Sequence, residues 1–226
     1  MRPPIVAGVD SSPESVTADE ALRLVVDESR ALLDSGPGRV IVGITGPPGT
    51  GKSTFARRIV ERAAAVASYV PMDGFHLSNA QLDRLGRRSR KGAPDTFDVD
   101  GYVAALTRIA ADHGIRDVYV PDFDRTLEEP VAAGRVVPAD ARLVVTEGNY
   151  LGLWEGVPAL LDRLYYLDTE PAVRRARLLA RHVAGGRGDA EAQDWVETVD
   201  FSNAALIAAA RDRCDRILEV VEPQSL

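Results

Sequence analysis

The run Gly46-Pro47-Pro48-Gly49-Thr50-Gly51-Lys52-Ser53 fits the pattern G-x-x-x-x-G-K-[ST], and its flanks constrain the fold as much as the run itself. Before it, Val40-Ile41-Val42-Gly43-Ile44 is a short apolar stretch rich in β-branched residues, which predicts a strand buried on both faces of a parallel sheet. After it, Phe55, Ile59, Ala63 and Val66 share one face of a helix predicted over 52–67. In the order strand, loop, helix such a run binds phosphate: backbone N–H groups turn inward and the helix N-terminus adds partial positive charge. Pro47 and Pro48 have no N–H to give, so Gly46 opens the loop and the donors are Gly49, Thr50, Gly51, Lys52, Ser53 and Thr54. Arginine supplies 25 of the 27 basic side chains, and Lys52 and Lys91 are the two lysines. Gripping β- and γ-phosphate oxygens calls for a compact ammonium, which a planar guanidinium cannot replace. Ser53 is expected to place its hydroxyl on Mg²⁺.

The rest of the chain repeats the alternation. Residues 1–16 read as an irregular leader, and Thr17 with Glu20 forms a capping box before a helix that ends at Gly36-Pro37-Gly38. Strands are expected at 68–72, 118–120, 143–147, 164–168 and 217–221. Helices are expected at 77–86, after a cap at Asp100, from Glu170, and over about 189–210. Residues 87–98 read as a loop and 127–139 as a hairpin around Ala133-Gly134. Strands alternating with helices imply right-handed crossovers. The expected fold is therefore a single α/β domain over 1–226, a three-layer sandwich of the P-loop NTPase type. Residues 1–38 form its leader and first helix, and 174–190 a helical lid.

Composition removes several function classes. A net charge of −7 argues against a general nucleic-acid binder. No apolar run approaches the ~18 residues of a bilayer span, and no long apolar segment follows Met1, so neither a membrane nor a secretory signal is expected. The single cysteine, Cys214, suits a reducing cytoplasm and a place in the core. His76, His113 and His182 lack metal-site spacing. With two lysines, neither in Asn-Lys-x-Asp, the guanine-binding motif is absent; no Leu-Ser-Gly-Gly signature occurs either. What remains is a compact phosphotransferase.

Asp73 ends the strand after the phosphate loop, where ligands gather in a parallel sheet, and a carboxylate there can accept or orient the proton of an attacking hydroxyl. The lesser alternative is an Asp-Gly turn. Glu147, after a strongly apolar strand, reads as an acid that holds Mg²⁺ through water or orients the substrate, or else as a helix-capping or loop carboxylate; Asn149 and Tyr150 follow in the same loop as further substrate contacts. His76 is either a substrate contact or a surface or core histidine. Arg84, Arg87, Arg88, Arg90 and Lys91 are either a solvated loop or the receiver of an anionic acceptor, with Lys91 the candidate for function. Arg177 and Arg181 are either the polar face of a helix or lid arginines that close on phosphate.

Six segments together resemble the phosphoribulokinase, uridine kinase and bacterial pantothenate kinase family. They are Gly46–Ser53, Met72–His76, Arg90–Asp98, Pro121–Arg125, Glu147–Tyr150 and Asn203-Ala204. The combination is most similar to the nucleoside/nucleotide kinase-like, fructose-transport-type branch. The resemblance implies ATP and Mg²⁺, Asp73 as base, lid arginines at Arg177 and Arg181, and Arg90–Asp98 as the acceptor-side loop. Pro121-x-Phe123-Asp124 is similar to a Pro-x-Tyr-Asp segment of uridine kinases, which brings in Asp124 but replaces the phenol with Phe. The function expected is transfer of the γ-phosphoryl group to a hydroxyl of a nucleoside such as uridine, of pantothenate or of a sugar. A nucleotide-dependent regulator or chaperone ATPase is the alternative. The expected partner is a small acceptor, without nucleic acid or membrane; homodimers occur in this family.

Overall fold

The structure is a computed structural model that describes residues 13–63 and 67–221. A fully parallel six-stranded sheet runs in the order β1 (Glu14–Val16), β8 (Arg216–Val220), β7 (Arg163–Asp168), β2 (Val40–Thr45), β6 (Leu143–Glu147), β3 (Ala67–Pro71). The phosphate-loop strand β2 is thus central. The chain leaves it on one side for β3 and later returns on the other through β7, so the topology switches direction beside the loop.

Strands β2, β3, β6, β7 and β8 feed two cores, because side chains alternate across a pleated sheet. Val40, Val42 and Ile44 pack with Leu143 and Val145 beneath α1 (Ala18–Asp34) and α2 (Lys52–Ala63), which contribute Leu22, Val25, Phe55 and Ile59. Ile41 and Val144 face the other way, against Tyr102, Leu106 and Ile109 of α4 (Val99–Ala111) and Ile207 of α7 (Phe201–Ala208). Helix, sheet and helix make the expected three layers. Cys214 is buried and free, and burial pushes its thiol up to about 12.

Several boundaries differ from expectation. The supposed leader holds a strand at Glu14–Val16, whose edge position pairs it with β8; residues 1–12 lie outside the described residues. The phosphate-loop helix is described to Ala63, and Val66 falls outside the described residues. Ala67 belongs to β3, where it pairs with Leu143. Asp98, not Asp100, caps α4, its carboxylate accepting from the Gly101 N–H at 2.9 Å. The short α3 spans Asn79–Arg84. The hairpin is β4 (Val118–Asp124) against β5 (Glu129–Val137), and it turns at 125–128. Ala133-Gly134 is a bulge within β5, with Ala133 at φ 54. The last long helix is broken into α6 (Asp189–Trp195), a π-helical turn (Val196–Asp200) and α7. Before it, α5 (Pro171–Ala184) ends at Gly185. No described helix is long and apolar enough to cross a membrane.

Candidate active site

The phosphate loop leaves β2 through Gly46 at φ 146, where a Cβ would lie 2.0 Å from the Leu167 carbonyl oxygen. The loop therefore crosses β7 with no room for any side chain. It then enters α2 at Lys52, whose Nζ donates to the Pro47 carbonyl at 2.8 Å and which is 7% exposed. Burial, partly offset by the charges of Glu147 and Asp73, lowers the Lys52 pKa from 10.5 to about 8.

Glu147 ends β6, the strand between β2 and β3, so register alone brings it to the loop. It is buried and accepts from the Tyr69 hydroxyl at 2.6 Å, and the nearby Ser53 side chain favours its ionised form. Burial first and the Asp73 charge second raise its pKa.

Asp73 follows β3 in a single 3-10 turn, Met72–Phe75. The next residue, Gly74, lies so close to β4 that a Cβ would sit 2.4 Å from the Pro121 carbonyl oxygen. That approach carries the end of β4 over the carboxylate, and Arg125 Nη2 donates to Asp73 Oδ2 at 2.5 Å. Burial opposes the Asp73 charge, but attraction to protonated His76, to Arg125 and to Arg181 outweighs it and holds the pKa below its usual value. Because burial also lowers the His76 pKa, the ring is neutral near pH 7 and the arginines supply the positive charge there. His76 Nδ1 lies 2.8 Å from the Asp73 carbonyl, an acceptor, so that nitrogen carries the proton. Asp73 and Glu147 are thereby pushed apart, one toward the ionised form and the other toward the protonated.

The loop over 87–98 folds on itself. Arg90 grips Asp95 with two bonds of 2.5 Å, and Arg87 donates to the Asp95 carbonyl at 2.8 Å. Those arginines hold the loop's shape rather than wait for a ligand. Lys91 turns inward instead: its ammonium donates to Asn79 Oδ1 at 2.8 Å and to the Glu128 carbonyl, 5.0 Å from the Phe123 ring centroid.

Two sequence candidates make structural contacts. Tyr150 is fully buried and donates to the Gly92 carbonyl at 2.5 Å, so it braces the loop over 87–98 from the core. Asp124 Oδ1 accepts from the N–H groups of Thr126 and Leu127, at 2.7 and 3.0 Å, and closes the hairpin turn. Asn149 gives its carbonyl to the Thr45 hydroxyl at 3.1 Å. From α5, Arg177 Nη1 reaches the Gly49 and Thr50 carbonyls at 3.5 and 3.4 Å, while Arg181 lies 3.8 Å from Asp200.

Sequence reasoning gave no individual role to Arg125, Phe123 or Tyr69. For Arg125 the available signal was its place directly after Pro121–Asp124. Tyr69 offered only a hydroxyl within an apolar strand.

A parallel sheet with this loop at its centre, Glu147 ending the adjoining strand β6 and Asp73 just past the end of β3 beyond it, defines a P-loop kinase. The model of the Phosphoribulokinase / Uridine kinase family matches residues 41–226, and the chain belongs to that family. A Schizosaccharomyces pombe protein provisionally named uridine kinase C227.14 is 37% identical over 161 residues, covering 66% of this chain and 68% of its own. The uncharacterised Escherichia coli protein YggC is 31% identical over 193 residues, covering 81% and 79%. Among solved structures, one from Silicibacter sp. TM1040, provisionally described as a fructose transport system kinase, superposes with a TM-score of 0.78 at 32% identity, covering 89% of this chain and 98% of the other. Membership makes the chain a phosphotransferase of the ATP-using P-loop type.

Proposed function

We propose that the chain transfers the γ-phosphoryl group of ATP to a hydroxyl of a small metabolite, in the class of nucleosides, pantothenate and sugars. Lys52 and the loop amides hold the triphosphate. Asp73 orients the acceptor hydroxyl and takes its proton as the acceptor oxygen bonds to the γ-phosphorus and the bond to the ADP oxygen breaks. Arg177 and Arg181 lie on α5 beside the loop, where a closing lid would bring them onto the transferring group. The Ser53 hydroxyl and the Glu147 carboxylate are hard oxygen donors close enough to influence each other, which suits Mg²⁺. Bound there with the nucleotide, Mg²⁺ would neutralise charge on the β- and γ-oxygens. Among the described residues no group of three or more metal-binding side chains forms, so such an ion would lean on phosphate oxygens and water.

The observation that carries this reading is the Asp73 carboxylate, set just past the end of β3 beside the β6 end that bears Glu147 and paired there with Arg125. Asp73→Asn is expected to lower kcat by about 10²- to 10⁴-fold with little change in ATP affinity. Coupled ADP-release kinetics across a panel of acceptors tests it; near-normal turnover would sink the assignment. ADP release that needs no acceptor would favour a regulatory ATPase instead.

A further inference from the structure

Phe123 has two cations beside it. The Lys91 ammonium lies 5.0 Å from its ring centroid and the Arg125 guanidinium 5.2 Å, with the His76 ring 4.9 Å away. Lys91 spends two of its three N–H groups on Asn79 and the Glu128 carbonyl. Arg125 spends Nη2 on Asp73, which among the described residues is the carboxylate it pairs with, and its side chain is 58% exposed. Both Glu129 oxygens accept from the Asn79 N–H, and the Glu129 charge reaches Lys91 ahead of that of Glu128. The Glu128 charge reaches both Lys91 and Arg125.

An acceptor hydroxyl that meets Asp73 Oδ2 lies alongside Arg125, which donates to that oxygen. A neutral acceptor would leave the guanidinium's remaining donors unsatisfied once water is displaced. An anionic one would engage them, and would also draw the guanidinium off Asp73, leaving the carboxylate free to take the proton. We propose that the acceptor carries a carboxylate or a phosphate held between Arg125 and Lys91 while its hydroxyl faces Asp73. This rests on the kinase reading and narrows its substrate class.

The test is coupled ADP release with matched trios: glycerol, glycerate and glycerol 3-phosphate; ribose, ribonate and ribose 5-phosphate. Expected is a preference of at least about tenfold in kcat/KM for an anionic member over its neutral parent, the carboxylate and phosphate arms telling which anion is used. Arg125→Gln should remove about 10- to 100-fold of that preference, mainly through acceptor KM, and Arg125→Lys should restore part of it by keeping the charge. Equal or better use of the neutral parents overturns the inference and leaves the kinase reading standing. So does an Arg125→Gln effect that raises the KM for ATP and leaves acceptor preference untouched. ADP release independent of every acceptor overturns the kinase reading, and the inference with it.

Discussion

Lys52 shows how burial at one residue becomes a measurable property of the site. In the nucleotide-free protein its pKa is lowered to about 8, first by burial. A bound triphosphate surrounds the same ammonium with negative charge and raises the value again. The sign follows: near pH 8 roughly half of the free protein has lost this proton, and ATP binding must take it back. Calorimetry in two buffers of different ionisation enthalpy is expected to show uptake of about half a proton at pH 8, and ATP affinity should fall as pH rises further. Absence of uptake there would contradict the lowered pKa. The importance of Lys52 was legible from the motif alone, because the loop's hydrogen bonding is local. The inward placement of Lys91 was not: it depends on Asn79 and Glu128, which belong to α3 and the hairpin turn.

At the scale of elements, the loop over 87–98 is held by neighbours remote in sequence. The Gly92 carbonyl accepts from Tyr150, which follows β6, at 2.5 Å and from Asn203 Nδ2 of α7 at 3.5 Å. One carbonyl thus links the loop over 87–98 to the segment after the Glu147 strand and to α7. Tyr150→Phe removes the shorter bond while keeping the ring against Phe97 and Trp154. The expected outcome is a loss of about 1 kcal/mol in urea unfolding and a severalfold rise in acceptor KM, with the KM for ATP unchanged. Equal effects on both substrates would count against a loop-bracing role. In sequence Tyr150 reads as a ligand contact because it follows Glu147 so closely. Packing turned the ring inward, and nothing in a loop's composition fixes that direction.

For the whole molecule, the pole opposite the site is tied by Arg39. Its guanidinium donates to the carbonyls of Ile109, Pro138, Ala139 and Ala141 at 2.6 to 3.0 Å, joining the end of α4 to the approach to β6. Arg39→Ala should cost about 2–4 kcal/mol in denaturant unfolding while kcat per folded molecule stays near wild type. Arg39→Lys should recover less than half, since one ammonium cannot span the four acceptors. Full recovery by lysine would show that charge rather than the planar fork matters there. No local pattern marks this arginine out among so many others; its acceptors lie 70 to 102 residues away.

The sequence by itself determined the features made by neighbours along the chain. These are the strand, phosphate loop and helix around Lys52, the capping box at Thr17, and strands apolar enough to be covered on both faces. Periodicity and short-range hydrogen bonds specify them. Tertiary structure decided what depends on which strand lies beside which. It set β6 between β2 and β3, so that Glu147 reaches the loop. It brought Arg125 across 52 residues onto Asp73, spent Asp124 on a turn and buried Tyr150. Those outcomes rest on close approaches such as Gly74 against Pro121, and steric contact of that kind is written in no single segment.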